Sequence, residues 1–130
     1  MKVLTMRTDK PEAELGVYEG KKQIQYLKWE AHRELSVTLL DKTEEILNKS
    51  SIDMEQLEGI VVYKGPGSFT GLRIGIAAAN ALAYGLNIPI VAASGEVWIA
   101  EGTKELKAGQ NAKVALPEYG APANTTPPRK

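Results

Sequence analysis

The residues best placed to do chemistry in this 130-residue chain lie in one glycine-rich run, Gly65-Pro66-Gly67-Ser68-Phe69-Thr70-Gly71. Backbone amides of such a loop, set at a helix N-terminus, favour an anion. The phosphate-loop pattern G-x-x-x-x-G-K-[ST] is not met, because Gly71 is followed by Leu72 and Arg73 rather than by lysine. Arg73, in the first turns of the following helix, suits a salt bridge or a carboxylate or phosphate contact. Ser68 lacks the G-x-S-x-G elbow and a well-placed histidine, which argues against a serine nucleophile. His32 is the single histidine, and its i+4 neighbour is Ser36, so it builds no metal pair. No cysteine is present, which removes disulfides, thiol catalysis and thiolate metal sites. Hydrolase activity is therefore not expected from the residues alone.

These residues need a strand, a loop and a helix to hold them. Ile60-Val61-Val62-Tyr63 has no polar alternation and reads as a strand buried on both faces. Ser68 or Thr70 then caps a helix running to Leu86. Along it Gly71, Gly75, Ala79 and Ala83 recur every fourth position and make one stripe of small side chains. Each glycine costs the helix about 1 kcal/mol relative to alanine, so something must approach closely there. Periodicity leaves open whether that is the domain's own sheet or a partner's helix.

The rest of the chain supplies the neighbours. Val3–Met6, an alternating stretch around Ala13–Val17 and Gln23–Trp29 read as a three-stranded meander. Residues 31–49 place Leu35, Leu39, Leu40, Ile46 and Leu47 at helical spacing with charges between them. Met54–Leu57 forms a short turn, Ile88–Val91 a further strand, and Ser94 caps a last helix reaching about Leu106. The order β-β-β-α-β-α-β-α predicts an α/β domain with a mixed sheet of about five strands over residues 1–107. Residues 108–130, with Pro117, Pro122, Pro127 and Pro128, read as an extended or disordered tail. A formal net charge of zero leaves no basic footprint for direct nucleic-acid binding, and 43% hydrophobic residues argue against disorder. With no secretion signal and no membrane span legible, the expected location is cytoplasmic.

The run Lys64-Gly65-Pro66-Gly67-Ser68-Phe69-Thr70-Gly71-Leu72-Arg73-Ile74-Gly75 closely resembles the hallmark segment of the TsaB (YeaZ) family, a subunit family of tRNA threonylcarbamoyladenosine (t6A) biosynthesis. The opening VLTM strand, His32 and Glu34 at the head of the first helix, and Ile88-Pro89-Ile90-Val91 follow in the family's order. The resemblance spans residues 1 to about 105. It implies an actin/Hsp70-like (RNase H-like) single lobe without catalytic or metal residues and without a cofactor. It also implies a TsaD-like catalytic partner, a TsaE-like ATPase in the same complex, tRNA met only through that complex, and a homodimer when alone. The first two long helices, 31–49 and 70–86, would then form the partner interface, with Leu35, Leu39, Gly71, Ile74, Gly75, Ala78, Ala79 and Leu82 on it. The rival readings are a small ATPase-like or M22 peptidase-like enzyme of the same superfamily, or a homodimeric interaction protein that pairs with itself through the same helices.

Three departures from the family pattern bear on that choice. Met6 is followed by Arg7-Thr8 where the family's opening strand ends in Asp-Thr or Asp-Ser, and Asp9 comes two positions late. Gly95 and Ile99 stand where the catalytic paralogue carries an H-x-x-x-H metal pair, and neither can ligate a metal. Typical members continue into a second lobe, so a minimal single-lobe form is expected here.

Overall fold

The computed structural model describes residues 1–118, with His32 by its backbone only. Five strands form one mixed sheet: β1 (Lys2–Arg7), β2 (Glu12–Glu19), β3 (Lys22–Glu30), β4 (Gly59–Tyr63) and β5 (Ile90–Ala93). Their order across the sheet is β3-β2-β1-β4-β5. The meander β1–β2–β3 is antiparallel, while β1–β4 and β4–β5 are parallel and joined through helices, as parallel crossovers require. This is the mixed α/β sheet expected from the element order.

Three helices cover it: α1 (Leu35–Ser50), α2 (Phe69–Leu86) and α3 (Trp98–Lys107). Strand register places them on opposite faces. Met6, paired with Val62, turns toward the space between α1 and α2, whereas the adjacent row Thr5–Val61 turns toward α3, whose Gly102 packs on Val61. All five residues of β4 are buried, as its unbroken apolar run demands. The core joins Leu4, Met6, Leu15, Val17, Ile46, Ile60 and Leu72, each essentially inaccessible to solvent.

Several boundaries differ from the sequence reading for local reasons. A short 3-10 turn, His32–Glu34, precedes α1, and Thr38 anchors the helix by accepting from Trp29 Nε1 at 3.0 Å. The helix α2 starts at Phe69, two residues before the glycine stripe, with Ser68 as its cap: the Ser68 Oγ accepts from the Gly71 amide at 3.4 Å. Ser94 does not cap α3. Gly95 (φ +87°) turns the chain first, the helix begins only at Trp98 after Val97, and the buried Ser94 Oγ has no hydrogen-bond partner. The strand β5 lies two residues later than expected, because the amide of Ile88 still closes the end of α2 on the Ala83 carbonyl.

Residues 111–118 follow the sheet edge without helix or strand and are held by named contacts. Asn80 on α2 accepts from the Ala115 amide at 2.7 Å and donates to its carbonyl at 3.1 Å. Asn111 accepts from the Ile90 amide, Ala112 donates to the Ile90 carbonyl, and Glu118 donates to the Lys64 carbonyl. Ala115 is buried. The remainder of the proline-rich stretch, 119–130, lies outside the described residues.

Candidate functional site

The glycine-rich loop connects β4 to α2, and three glycines of the loop and helix converge on one spot, residues 8 and 9 just after β1. A side chain on Gly67 would collide with the Asp9 Cβ, one on Gly71 with the Thr8 carbonyl, and one on Gly75 with the Thr8 hydroxyl. The Thr8 Oγ1 donates to the Gly71 carbonyl at 2.7 Å, and the Ser68 amide donates to the Asp9 carbonyl at 3.0 Å. The i, i+4, i+8 spacing of these three glycines thus lets α2 lie directly on residues 8 and 9. At the loop's entry Gly65 has φ +116° and the Gly65–Pro66 bond is cis.

Asp9 is itself buried, and both its oxygens are taken by Arg7: Nε reaches Oδ1 at 2.8 Å and Nη2 reaches Oδ2 at 3.2 Å. The Arg7 guanidinium also lies 3.9 Å over the Tyr63 ring, which meets Trp98 edge-on at 5.5 Å. Burial alone would lower the Arg7 pKa, yet the hydrogen bond to Asp9 and its charge outweigh it and raise the value further. The group therefore stays cationic and holds the carboxylate in a closed pair. Gly95 and Ile99 offer no ligand atoms on their side chains. Among the described residues no three His, Asp or Glu side chains gather in a way that could hold a metal ion. Arg73 is exposed, with its guanidinium 5.3 Å from the Phe69 ring.

The residues expected at a partner interface separate into two sets. Leu35, Gly75 and Ala79 are buried in the domain's own core, and Gly71 faces Thr8, so the small-residue stripe belongs to the interior. That corrects its placement on the outer surface: the close approach is made by the end of β1, not left free for another helix. Ile74, Ala78 and Leu82 lie one residue away around α2 and are only half-buried. They line a groove of about 560 Å³ between α1 and α2 together with Leu39, Leu40, Thr43, Ala77 and Ala81. Leu40 is 61% exposed, and Val37, Phe69 and Tyr84 stand out from the same two helices. Sequence reasoning found the groove's Ile74, Ala78 and Leu82 but passed over Leu40, Ala77 and Ala81. Ala77 and Ala81 stand three residues after Ile74 and Ala78 on the same helix, and that spacing was the signal for them. No helix among the described residues is long and apolar enough to cross a membrane.

The family model for TsaD, tRNA N6-adenosine threonylcarbamoyltransferase, matches residues 29–116. The tRNA threonylcarbamoyladenosine biosynthesis protein TsaB of Haemophilus influenzae is 31% identical over 100 residues, which are 77% of this chain and 42% of that protein. TsaB of Buchnera aphidicola subsp. Schizaphis graminum is 29% identical over 124 residues, 91% of this chain and 59% of the relative. Among solved structures, YeaZ from Pseudomonas aeruginosa superposes with a TM-score of 0.68 at 22% identity, covering 83% of this chain and 50% of that one. The chain thus spans about half the length of the relatives it matches. Taken with the glycine loop and the five-stranded sheet, these matches show that the chain belongs to the threonylcarbamoyladenosine family described by the TsaD model, among its TsaB (YeaZ) members.

Proposed function

We propose that this chain is a non-catalytic subunit that binds a TsaD-like protein and so supports threonylcarbamoyl modification of adenosine 37 in tRNA. One observation carries the reading: α1 and α2 leave an apolar groove with Leu40, Ile74, Ala78 and Leu82 along it, on a face that no other element of the described chain covers. Contiguous exposed apolar surface of this kind marks a protein interaction site. The partner contributes an apolar helical ridge, and the tRNA threonylcarbamoyladenosine names of the relatives support a TsaD-like protein in that place. A TsaE-like ATPase and tRNA then meet this chain only through the complex, in the cytoplasm, and without the partner the groove pairs with a second copy. The Arg7–Asp9 pair, with Gly95 and Ile99, supports the non-catalytic part of the reading, because the carboxylate nearest the glycine loop is already neutralised.

Affinity capture with a TsaD-like subunit tests it. Ala78→Glu and Leu82→Glu are expected to weaken binding about 30-fold or more, as expected for hot-spot positions, while the variants remain folded. Retained binding by both variants overturns the assignment of the groove, and steady ATP or peptide hydrolysis by the purified chain overturns the non-catalytic reading.

A further inference from the structure

Residues 65–67 of the glycine-rich loop make no hydrogen bond among the described residues, so the loop is positioned by its two ends. The exit is tied to the lobe, where the Ser68 amide donates to the Asp9 carbonyl at 3.0 Å. The entry is Lys64. Its amide donates to the Ala93 carbonyl at the end of β5 at 2.9 Å, and its carbonyl accepts from the Glu118 amide at 2.6 Å. Glu118 also closes over Gly65: a side chain at that position would collide with the Glu118 carbonyl, and φ +116° suits glycine there. The loop's entry thus depends on a segment that lies beyond α3 in the chain.

Side-chain amides, rather than packing, hold that segment. Asn80 on α2 pairs with the Ala115 peptide in both senses, accepting from its amide at 2.7 Å and donating to its carbonyl at 3.1 Å, much as a neighbouring strand would. The Asn111 Oδ1 accepts from the Ile90 amide at 3.1 Å and from the Lys113 amide at 2.8 Å. Ala115 is buried, while its neighbours Val114 and Leu116 are 61% and 70% exposed. A segment with so little buried apolar surface opens at a lower free energy than the sheet beneath it.

We infer that residues 111–118 are a strap that sets the entry of the glycine-rich loop, with Asn80 as its clasp. Closed, the strap fixes the Lys64 carbonyl and covers Gly65. Open, it frees both, and Gly65–Gly67 are then held firmly only at their exit. Asn80 shares α2 with the groove residues Ala77, Ala78 and Ala81, and the loop's exit is the start of the same helix. If the groove is the partner's seat, as proposed above, the strap is a positioning element for the helix that carries it. The strap itself does not depend on that reading.

Residue-resolved amide hydrogen exchange of the full chain, read by NMR, tests the strap. Ser68 is the reporter, because its amide belongs to the loop and bonds to Asp9, not to the strap or to Asn80. Asn80→Ala deletes both clasp bonds at a helical position where alanine is the better helix former. Exchange is expected to rise at least tenfold at Ala115 and Glu118 and at least threefold at Ser68, with the core amides of Leu4 and Val62 unchanged. Glu118→Pro removes only the donor to Lys64, and should speed Ser68 to the same degree while Ala115 stays protected. Unchanged exchange at Ser68 in either variant overturns the inference, since the strap would then lie on the loop without setting it. Unchanged exchange at Ala115 in Asn80→Ala overturns it by removing the clasp. Acceleration of Leu4 and Val62 equal to that of Ala115 overturns it too, because the segment would then be part of the core. No partner enters the experiment, so its failure and the failure of the groove reading are distinguishable.

Discussion

Two stripes run along the same helix one residue apart and meet opposite fates. Gly71, Gly75, Ala79 and Ala83 lie against the end of β1 and the sheet, whereas Ile74, Ala78 and Leu82, with Ala77 and Ala81, face the groove toward α1. The inward stripe is made of residues too small to fill space, because Thr8 already fills it, with its carbonyl against Gly71 and its side chain against Gly75. The outward stripe carries larger side chains that are not fully covered. Regular small residues therefore report how near a neighbour comes, and say nothing of whether that neighbour is part of the same chain.

The sharpest way to break this comparison is Gly75→Leu. Its side chain would have to occupy the position of the Thr8 hydroxyl, with the Thr8 Cβ and Cγ2 only 2.9 Å away. Overpacking against backbone-fixed atoms is expected to cost about 3 kcal/mol or more, enough to lower Tm by more than 10 °C or prevent folding. Thermal unfolding checks it, and a melting temperature equal to wild type would return the stripe to the surface. Next in size is Arg7→Ala. It leaves the Asp9 carboxylate, only 6% exposed and packed under Gly67 of the loop, without its partner, while Arg7 itself is 21% exposed. A loss of about 2 kcal/mol is expected in urea unfolding, below the figure for a fully buried pair because solvent reaches the arginine. Arg7→Lys should recover only part of it, since an ammonium cannot make the two-point contact.

Much of this architecture was legible in the sequence. The strands and their sequence along the chain followed from alternation in residues 12–30 and the unbroken apolar run of β4, and α1 from its leucine spacing. What was not legible depended on contacts distant in the chain. Asn80, which reads as a polar interruption of an apolar helix, turns out to hold Ala115 by two hydrogen bonds across 35 positions. The Arg7–Asp9 pair was hidden because a turn carboxylate looks solvent-exposed until Gly67 and Ser68 are folded over it. The orientation of the stripe was undecided for the same reason: a 3.6-residue period fixes which residues share a face, and only the register of β1 against β4 decides what that face meets.

The outward stripe predicts a smaller effect on folding. Leu82 is half-buried, and Leu82→Glu lets the carboxylate reach water from the open groove, so the expected loss is about 1 kcal/mol or less by the rule for surface substitutions. The same variant is expected to weaken capture of a TsaD-like partner about 30-fold or more. A large drop in melting temperature would show that the two stripes are not different in kind.

The smallest expected effect lies on the sheet face that neither stripe touches, and it separates electrostatics from packing. Tyr26 is 43% exposed on β3, in the row that crosses Gly16 of β2. Its phenol is pushed up to about 12 by burial first, then by the adjacent Glu14 carboxylate, with Glu12 and Tyr18 adding. The folded chain thus binds the phenolic proton more tightly than the unfolded chain, whose tyrosine titrates near its ordinary value of about 10. Whatever stability this gives is complete below pH 10 and is lost as the pH rises from about 10 to about 12, because only the unfolded chain ionises readily in that window. Tyr18, also shifted upward by burial and then by Glu14, adds a slope of the same sign. Tyr26→Phe should remove part of the alkaline decline in urea midpoint while leaving the midpoint at pH 7 close to wild type. Phenolate absorbance should show the corresponding loss of the late-titrating tyrosine. A decline of identical steepness in Tyr26→Phe would mean that the alkaline transition arises elsewhere and that this row of the sheet is electrostatically silent.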